Sequence, residues 1–328
     1  MKMLKILRCI AVASLAVVLV PFGAVAASAG EPFPSRSIQA ILAFPPGSIG
    51  TTMLRIVGDD LSKRLGQQVI VVPMAGGKGS LAASAALKAP RDGYTIVMLT
   101  SANAIATAVS EREGKPLTYS VGDFTPLTGF AEFTNVVATA GDSRFKTMKE
   151  VLAYARANPG KLNVGVSLAN TANDLAAHLL KQKAGIDFAV VRHSTIASLI
   201  TEARQGTLDV IIQSYGALKG QFEAGALRPL AVTVAQPVEY LPNVPTVAAS
   251  GVPGFDVPSW TALYVPKGVP PTRVELLARE ARASLASSEV QKRLRELGIR
   301  PIPSNSRETD VLMNGEIAKW REVLNQQK

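Results

Sequence analysis

The segment 38–65 constrains the fold most, because it has the pattern of a strand, a tight loop and a helix in direct succession. Residues 38–44 form a short, mostly apolar run, which is typical of a buried strand. The following loop, 44–50, contains two prolines and two glycines and therefore cannot continue the strand. Thr51 or Thr52 is then expected to cap a helix that has apolar residues at helical spacing.

The loop before this helix has two interpretations. The first N–H groups of a helix have no acceptor within it, and the positive end of the helix dipole faces the loop. Such an arrangement binds anions, so the first interpretation is a carboxylate-binding loop. The alternative is an ordinary turn between a strand and a helix, which is common in α/β proteins.

The rest of the chain alternates short strands with helices, which predicts an α/β fold with mostly parallel sheets flanked by helices. Polar or glycine-bearing loops follow several of the strands, and open α/β sheets bind ligands at those strand ends. Such loops recur in both halves of the chain, so a cleft between two lobes is expected. Five prolines make 235–258 an irregular connection.

Residues 1–29 have the pattern of a secretory signal. Basic residues precede an apolar run over 10–20, and two A-x-A cleavage sites end at Ala26 and Ala29. The only cysteine, Cys9, lies in this segment, so the mature chain is expected to contain neither thiol nor disulfide. Cleavage removes three of the 35 basic residues and none of the 25 acidic ones, which leaves a net charge of +7. No later stretch has the roughly 18–20 apolar residues of a membrane span, so we expect a periplasmic protein.

The sequence contains little that indicates catalysis. Its only histidines are His178 and His193, and no zinc-binding pattern or G-x-S-x-G motif is present. The glycine-rich run 76–80 lacks the spacing of a phosphate-binding loop. We therefore expect no metal, no cofactor and no enzymatic activity. Basic residues are scattered, so nucleic acid is not an expected partner.

Several short segments occur in a characteristic order along the chain. They are 44–47 (FPPG), 61–67 (LSKRLGQ), 92–95 (DGYT), 158–163 (NPGKLN), 206–209 (GTLD), 224–228 (AGALR), 241–246 (LPNVPT), 252–255 (VPGF), 259–260 (SW) and 265–268 (VPKG). Together they resemble the Bug family of extracytoplasmic solute receptors, the substrate-binding proteins of tripartite tricarboxylate transporters. The resemblance covers nearly all of 32–328.

This resemblance implies a two-lobed, type II-like periplasmic binding protein with a Venus-flytrap fold. It implies a small carboxylate ligand, held in the interlobe cleft mainly by backbone amides, short polar side chains and ordered waters. It also implies that membrane subunits of the transporter are partners. Lobe 1 is placed at 30–131 plus 257–328 and lobe 2 at 132–256, and a monomer is expected.

The expected ligand contacts are loop residues at strand ends in both lobes. They are Phe44, Pro46, Gly47, Ser48, Ile49, Gly50, Thr51, Thr52, Ser101, Asn103, Ser167, Asn170, Thr171, His193, Thr195 and Gln213. Three alternatives stay open at this stage. Asn170 and Thr171 could simply cap a helix, His193 could face the core, and Trp260 could pack in the core or the hinge rather than against a ligand.

Departures from the family pattern bear on the ligand. Thr51 stands where the family usually has an aspartate, and His193 stands where it has a tyrosine. Ile49 and Met74 add apolar surface around the lobe 1 loops. A buried ammonium without a carboxylate partner would be costly. We therefore expect an aliphatic di- or tricarboxylate or an aromatic acid, and weak binding of aspartate and glutamate.

Three functions remain open at this stage. The first is a receptor that supplies a secondary transporter. The second is a carboxylate sensor that signals to a membrane regulator, and the sequence does not separate it from the first. The third is an exported enzyme, which would have to use His193, Asp174, Lys78 or hydroxyl groups.

Overall fold

The computed structural model describes residues 32–44, 46–167 and 171–325. The signal expected at 1–29 lies outside the described residues, as does Asn170. The described part of the chain forms eleven strands and ten α-helices. The strands are β1 (Ile38–Leu42), β2 (Val69–Pro73), β3 (Thr95–Thr100), β4 (Phe124–Phe133), β5 (Asn135–Ala140), β6 (Asn163–Val166), β7 (Ala189–Arg192), β8 (Val210–Ser214), β9 (Leu227–Val232), β10 (Ser259–Pro266) and β11 (Ile299–Pro301). The helices are α1 (Ile49–Leu65), α2 (Ser80–Lys88), α3 (Ser101–Glu113), α4 (Met148–Ala157), α5 (Ala172–Ala184), α6 (Ile196–Arg204), α7 (Tyr215–Glu223), α8 (Pro271–Ala286), α9 (Ser288–Glu296) and α10 (Ser306–Asn325).

The strands form two sheets with the same internal order. The first sheet runs β11-β4-β10-β3-β1-β2 and the second runs β7-β6-β8-β5-β9. Each contains a parallel trio, β2-β1-β3 or β7-β6-β8. An antiparallel strand follows each trio, β10 in the first sheet and β5 in the second. Because both sheets are flanked by helices and follow one plan, the chain has the two-lobed α/β architecture expected from its sequence.

The expectation of mostly parallel sheets is wrong, because both sheets are mixed. Three of the five neighbouring pairs in the first sheet and two of the four in the second are antiparallel. The cause is that the chain crosses between the sheets twice, from β4 to β5, which only Thr134 separates, and from β9 back to β10. A strand that enters a sheet from the cleft runs away from the cleft, whereas the strands of each trio run toward it. β4 also contains Pro126 and Gly129, which weaken the sequence pattern of a strand.

The C-terminal helix α10 contributes to the hydrophobic packing of both lobes. Met313 and Ile317 pack with the core beneath the first sheet. Trp320 and Leu324, further along the same helix, belong to the second core, which also contains residues of α3, α5 and β6. None of the helices in the described ranges is long and apolar enough to cross a membrane.

Candidate functional site

Ser48 caps α1 and so determines where the first candidate loop becomes a helix. Its Oγ accepts a hydrogen bond from Thr51 N at 3.3 Å, and its carbonyl oxygen accepts one from Thr51 Oγ1 at 2.7 Å. The cap is therefore Ser48, not Thr51 or Thr52 as expected. The helix can begin this early because Gly50 has no side chain, since a Cβ there would lie 2.4 Å from Cγ of Phe44. The Phe44 ring thus packs directly on the first turn.

The first turn of α1 has the properties of an anion-binding helix start. The N–H groups of Ile49 and Gly50 have no acceptor within the helix, and the positive end of the helix dipole lies here. The turn contains no acidic residue. Gly47 enters it with a φ of +75° and open space where a Cβ would stand. Pro46, Gly47 and Thr52 are exposed, whereas Thr51 is fully buried.

Asn103 lies in the neighbouring helix start but is enclosed by protein. Its Oδ1 accepts a hydrogen bond from Thr100 N at 2.9 Å, and its Nδ2 donates to Tyr119 Oη at 2.8 Å. The side chain is fully buried. A Cβ at Gly79 would lie 2.7 Å from Asn103 Nδ2, so the glycine-rich run 76–80 packs on the side-chain amide of Asn103. Asn103 therefore supports two loops of the first lobe, and its amide is not available to a ligand in this conformation.

The second lobe has a polar network at the carboxyl ends of β6 and β8. Gln213 Nε2 donates a hydrogen bond to Ser167 Oγ at 2.9 Å. Gln213 Oε1 accepts one from Asn173 Nδ2 at 3.0 Å and one from Ser214 N at 2.7 Å. Thr171 caps α5, as its alternative interpretation proposed, by accepting a hydrogen bond from Asp174 N. The network fixes Gln213 in place, so we expect it to shape the site more than to rotate toward a ligand.

His193 does not face open space, in contrast to the favoured expectation. Its Nε2 lies 3.1 Å from Glu202 Oε1 of α6, and its side chain is only 7% exposed. Its backbone N donates to Val166 O, so strand pairing continues one residue past β7. Successive side chains of a strand point to opposite faces, so His193 points into the protein where Arg192 points to solvent. Thr195 is exposed and caps α6.

An ion pair between an exposed arginine and a buried aspartate, beside the second lobe's loops, was not anticipated from the sequence. Arg192 Nε lies 2.7 Å from Asp174 Oδ1, and the Asp174 side chain is 2% exposed. Arg192 Nη2 is also 3.1 Å from His178 Nε2. Burial is the main cause that lowers the pKa of His178, and Arg192 lowers it further while Asp174 opposes the change. The sequence did contain a signal for this pair. Arg192 is a basic residue at the end of a strand, and Asp174 is an acidic residue in the first turn of a helix.

The candidate residues form one group at each sheet. Those of 44–52 and Ser101 lie at the carboxyl ends of the adjacent strands β1 and β3. Ser167 and Gln213 lie at the carboxyl ends of the adjacent strands β6 and β8. Trp260, for which core packing and ligand stacking were both open, is fully buried in the first core.

A cavity of about 440 Å³ lies elsewhere, beside the strands that connect the two sheets. Its lining includes none of the candidate residues that the structure describes. Its lining is Glu132, Thr134, Val234, Ala235, Gln236, Pro237, Val238, Glu239, Tyr240, Asp256, Pro258, Gln291, Arg295, Ile299, Arg300 and Pro301. The cavity is on the β11 and β9 side of the connecting strands, whereas β1, β3, β6 and β8 are on the other side.

The two sheets share one strand order, the chain crosses between them twice, and helices start at the ends of their parallel strands. These features define a two-lobed α/β solute-binding protein. The family described as "Tripartite tricarboxylate transporter family receptor" matches residues 53–328, and the chain belongs to that family. The chain is therefore a solute-binding receptor of periplasmic type and not an enzyme.

Three similar proteins illustrate the relationship. The "UPF0065 protein in tcbD-tcbE intergenic region" of Pseudomonas sp. strain P51 is 32% identical over 296 residues, which cover 90% of this chain and 87% of the relative. Protein BugT of Bordetella pertussis is 26% identical over 303 residues, or 92% of each chain. The structure of R. palustris Rpa4515 with adipate superposes with a TM-score of 0.78 at 29% identity, over 89% of this chain and 97% of that one. The resemblance to Bug receptors is thereby confirmed.

Proposed function

We propose that this receptor binds a small carboxylate without an amino group, in the cleft between its lobes, and delivers it to the membrane subunits of a tripartite transporter. One observation carries the ligand class. The first turn of α1 directs backbone N–H groups and a positive helix end toward an exposed glycine loop, with no acidic residue in the turn. Rpa4515, at 29% identity, was solved with adipate, a dicarboxylate without an amino group.

The proposal that the ligand has no amino group rests on the positions where an acidic side chain could lie near the candidate loops. Thr51 occupies the position where the family usually has an aspartate, and it is fully buried. Asp174 is engaged by Arg192 at 2.7 Å. Neither position supplies a carboxylate for a ligand ammonium, and burying an unpaired ammonium is costly.

The lobe division follows the two sheets. We assign 30–131 plus 257–328 to lobe 1 and 132–256 to lobe 2. In support, all strands of the second sheet lie within 135–232, and all those of the first lie outside that range. Ligand capture then closes the lobes about the connecting strands. The signal pattern at 1–29 supports export of the receptor, which we propose acts as a monomer.

Isothermal titration calorimetry with the mature chain tests the ligand class. Succinate and adipate should bind more tightly than aspartate, and benzoate more tightly than aminobenzoate. A thermal-shift screen over organic acids should precede it, because a ligand at about 100 times its Kd stabilises the native state by about 2.7 kcal/mol. Tighter binding of aspartate than of succinate would refute the amino-group rule, and failure of every carboxylate would refute the ligand class.

Two glycines that flank α1 provide a matched test of the carboxylate position. Gly47 (φ +75°) precedes the helix and Gly66 (φ +66°) ends it, and at both positions no described residue other than the chain neighbours has an atom within 4 Å of the place where a Cβ would stand. Alanine at either position should cost about 1 kcal/mol of folding free energy, because only glycine adopts a positive φ without strain. Only Gly47→Ala should also weaken carboxylate binding, by calorimetry. Equal affinities for the two variants would move the carboxylate away from α1.

A further inference from the structure

Ile49 makes a contact between the two lobes at the candidate site. It is the first residue of α1, directly after the cap Ser48, and its side chain is partly buried. A Cβ added at Gly216, the second residue of α7, would lie only 2.7 Å from Ile49 Cδ1. The side chain of Ile49 therefore reaches from the first sheet's lobe to the backbone of the second, and the glycine provides the room for it.

The start of α7 is held in place independently of Ile49. Tyr215 N donates a hydrogen bond to Thr134 O at 2.9 Å. The Tyr215 ring packs over Gly298, where a Cβ would lie 2.4 Å from its Cδ1. Lys219 Nζ donates to Glu296 O at 3.2 Å. Because these contacts position α7 against the first lobe, shortening Ile49 should open space rather than let the lobes collapse onto each other.

We infer that Ile49 limits the length of the carboxylate that the cleft accepts, an inference that rests on the proposed function. The side chain belongs to the same helical turn as the N–H groups assigned to the ligand carboxylate. Gly216 lies three residues after Gln213, the centre of the second lobe's polar network. Ile49 thus fills the region between the two groups of polar residues with an apolar wall. The carbon chain of a ligand anchored at α1 has to pass beside this wall. The size of the Ile49 side chain therefore selects for ligand length.

The test compares adipate with succinate by calorimetry in four forms of the mature chain: wild type, Ile49→Ala, Gly216→Ala and the double variant. Ile49→Ala should raise the adipate-to-succinate affinity ratio by about tenfold, since one methylene in an apolar pocket changes selectivity by roughly 10- to 200-fold. Gly216→Ala should displace Ile49 into the cleft and weaken both ligands. In the Ile49→Ala background, Gly216→Ala should have little effect, because the clashing atom is gone.

Controls separate this inference from the proposed function. Val311→Ala changes an exposed apolar residue of α10 and should leave the ratio unchanged. If Ile49→Ala lowers the melting temperature, Ile49→Val keeps the branched side chain and should raise the ratio by a smaller factor. An unchanged ratio in both Ile49 variants, or an undiminished Gly216→Ala effect in the double variant, overturns the role of Ile49 while the receptor function stands. Failure of wild type to bind either acid overturns both.

Discussion

At the scale of single residues, the candidate site depends on what each side chain must satisfy locally. Gly50 lowers helix propensity, yet it stands in the first turn of α1 because the Phe44 ring occupies the place of a Cβ. Asn103 has the chemistry of a ligand contact but spends both polar groups on Thr100 and Tyr119. Residue type alone therefore does not separate a binding residue from a supporting one.

His178, which lies beside the ion pair of Arg192 and Asp174, predicts a pH effect on stability. Burial and Arg192 lower the pKa of His178 below its ordinary value of 6.5. Below pH 6.5 the unfolded chain therefore binds more protons at His178 than the folded chain does. The free energy of unfolding thus decreases as the pH is lowered from 6.5, until the pH is below the pKa of His178 in the folded state. Urea unfolding at pH 7.5 and pH 5 should show a larger loss for wild type than for His178→Gln. Equal losses would contradict this assignment.

At the scale of elements, α10 packs with both cores, as α3 does through Ala104 and Ile105. Its residues Met313 and Ile317 pack with the first core, and Trp320 packs with the second. Trp320 Nε1 donates a hydrogen bond to the buried Glu316 Oε1 at 2.5 Å. Arg321 pairs with Glu111 of α3, which holds the two helices together. Both lobes should therefore lose stability together when α10 is damaged.

Substitutions at Trp320 test that role. Trp320→Ala should cost about 3–5 kcal/mol of folding free energy by urea denaturation, because it leaves a large cavity. Trp320→Phe should cost less, since it keeps an aromatic ring but loses the bond to Glu316. In the Phe variant Trp260 is the one remaining tryptophan of the chain and reports on the first core. Its fluorescence midpoint should match the circular dichroism midpoint, and separate transitions would show that α10 does not couple the lobes.

At the scale of the whole molecule, the connecting strands separate the candidate cleft from the cavity of about 440 Å³. Closing the lobes on one side of these strands should widen the space on the other. The cavity wall includes the ion pair between Arg300 and Glu132, whose atoms are 2.9 Å apart. It also includes Ala235, an exposed residue whose N donates to Asp256 Oδ1 at 2.9 Å.

A bulky residue in this cavity should act as a wedge. Ala235→Trp fills space without removing the backbone hydrogen bond, so it should favour the closed form and raise carboxylate affinity. The gain should reach up to about tenfold if the closed form is about a tenth populated without ligand. Small-angle scattering should show a smaller radius of gyration in the unliganded variant than in wild type or Ala235→Ser. Weaker binding or an unchanged radius would refute this hinge geometry.

The sequence by itself determined features that depend on neighbours along the chain. Thr147 and Glu150 form the capping box that starts α4, and this pattern can be read from the sequence because both partners lie within one helical turn. The strand β5 (Asn135–Ala140) coincides with a largely apolar stretch of the sequence. The ordered set of family segments likewise identified the receptor class that the comparisons confirm.

Only the tertiary structure decided features that depend on distant partners. The directions of the two crossings between the sheets, from β4 to β5 and from β9 back to β10, make the sheets mixed, and no local pattern encodes them. His193 is buried beside Glu202, and Arg192 forms an ion pair with Asp174. Ile49 meets Gly216 because folding brings together two helix starts that are far apart in the chain. These contacts depend on hydrogen bonding and close packing between residues that are distant in the sequence. The position of each side chain is therefore determined only when the lobes assemble.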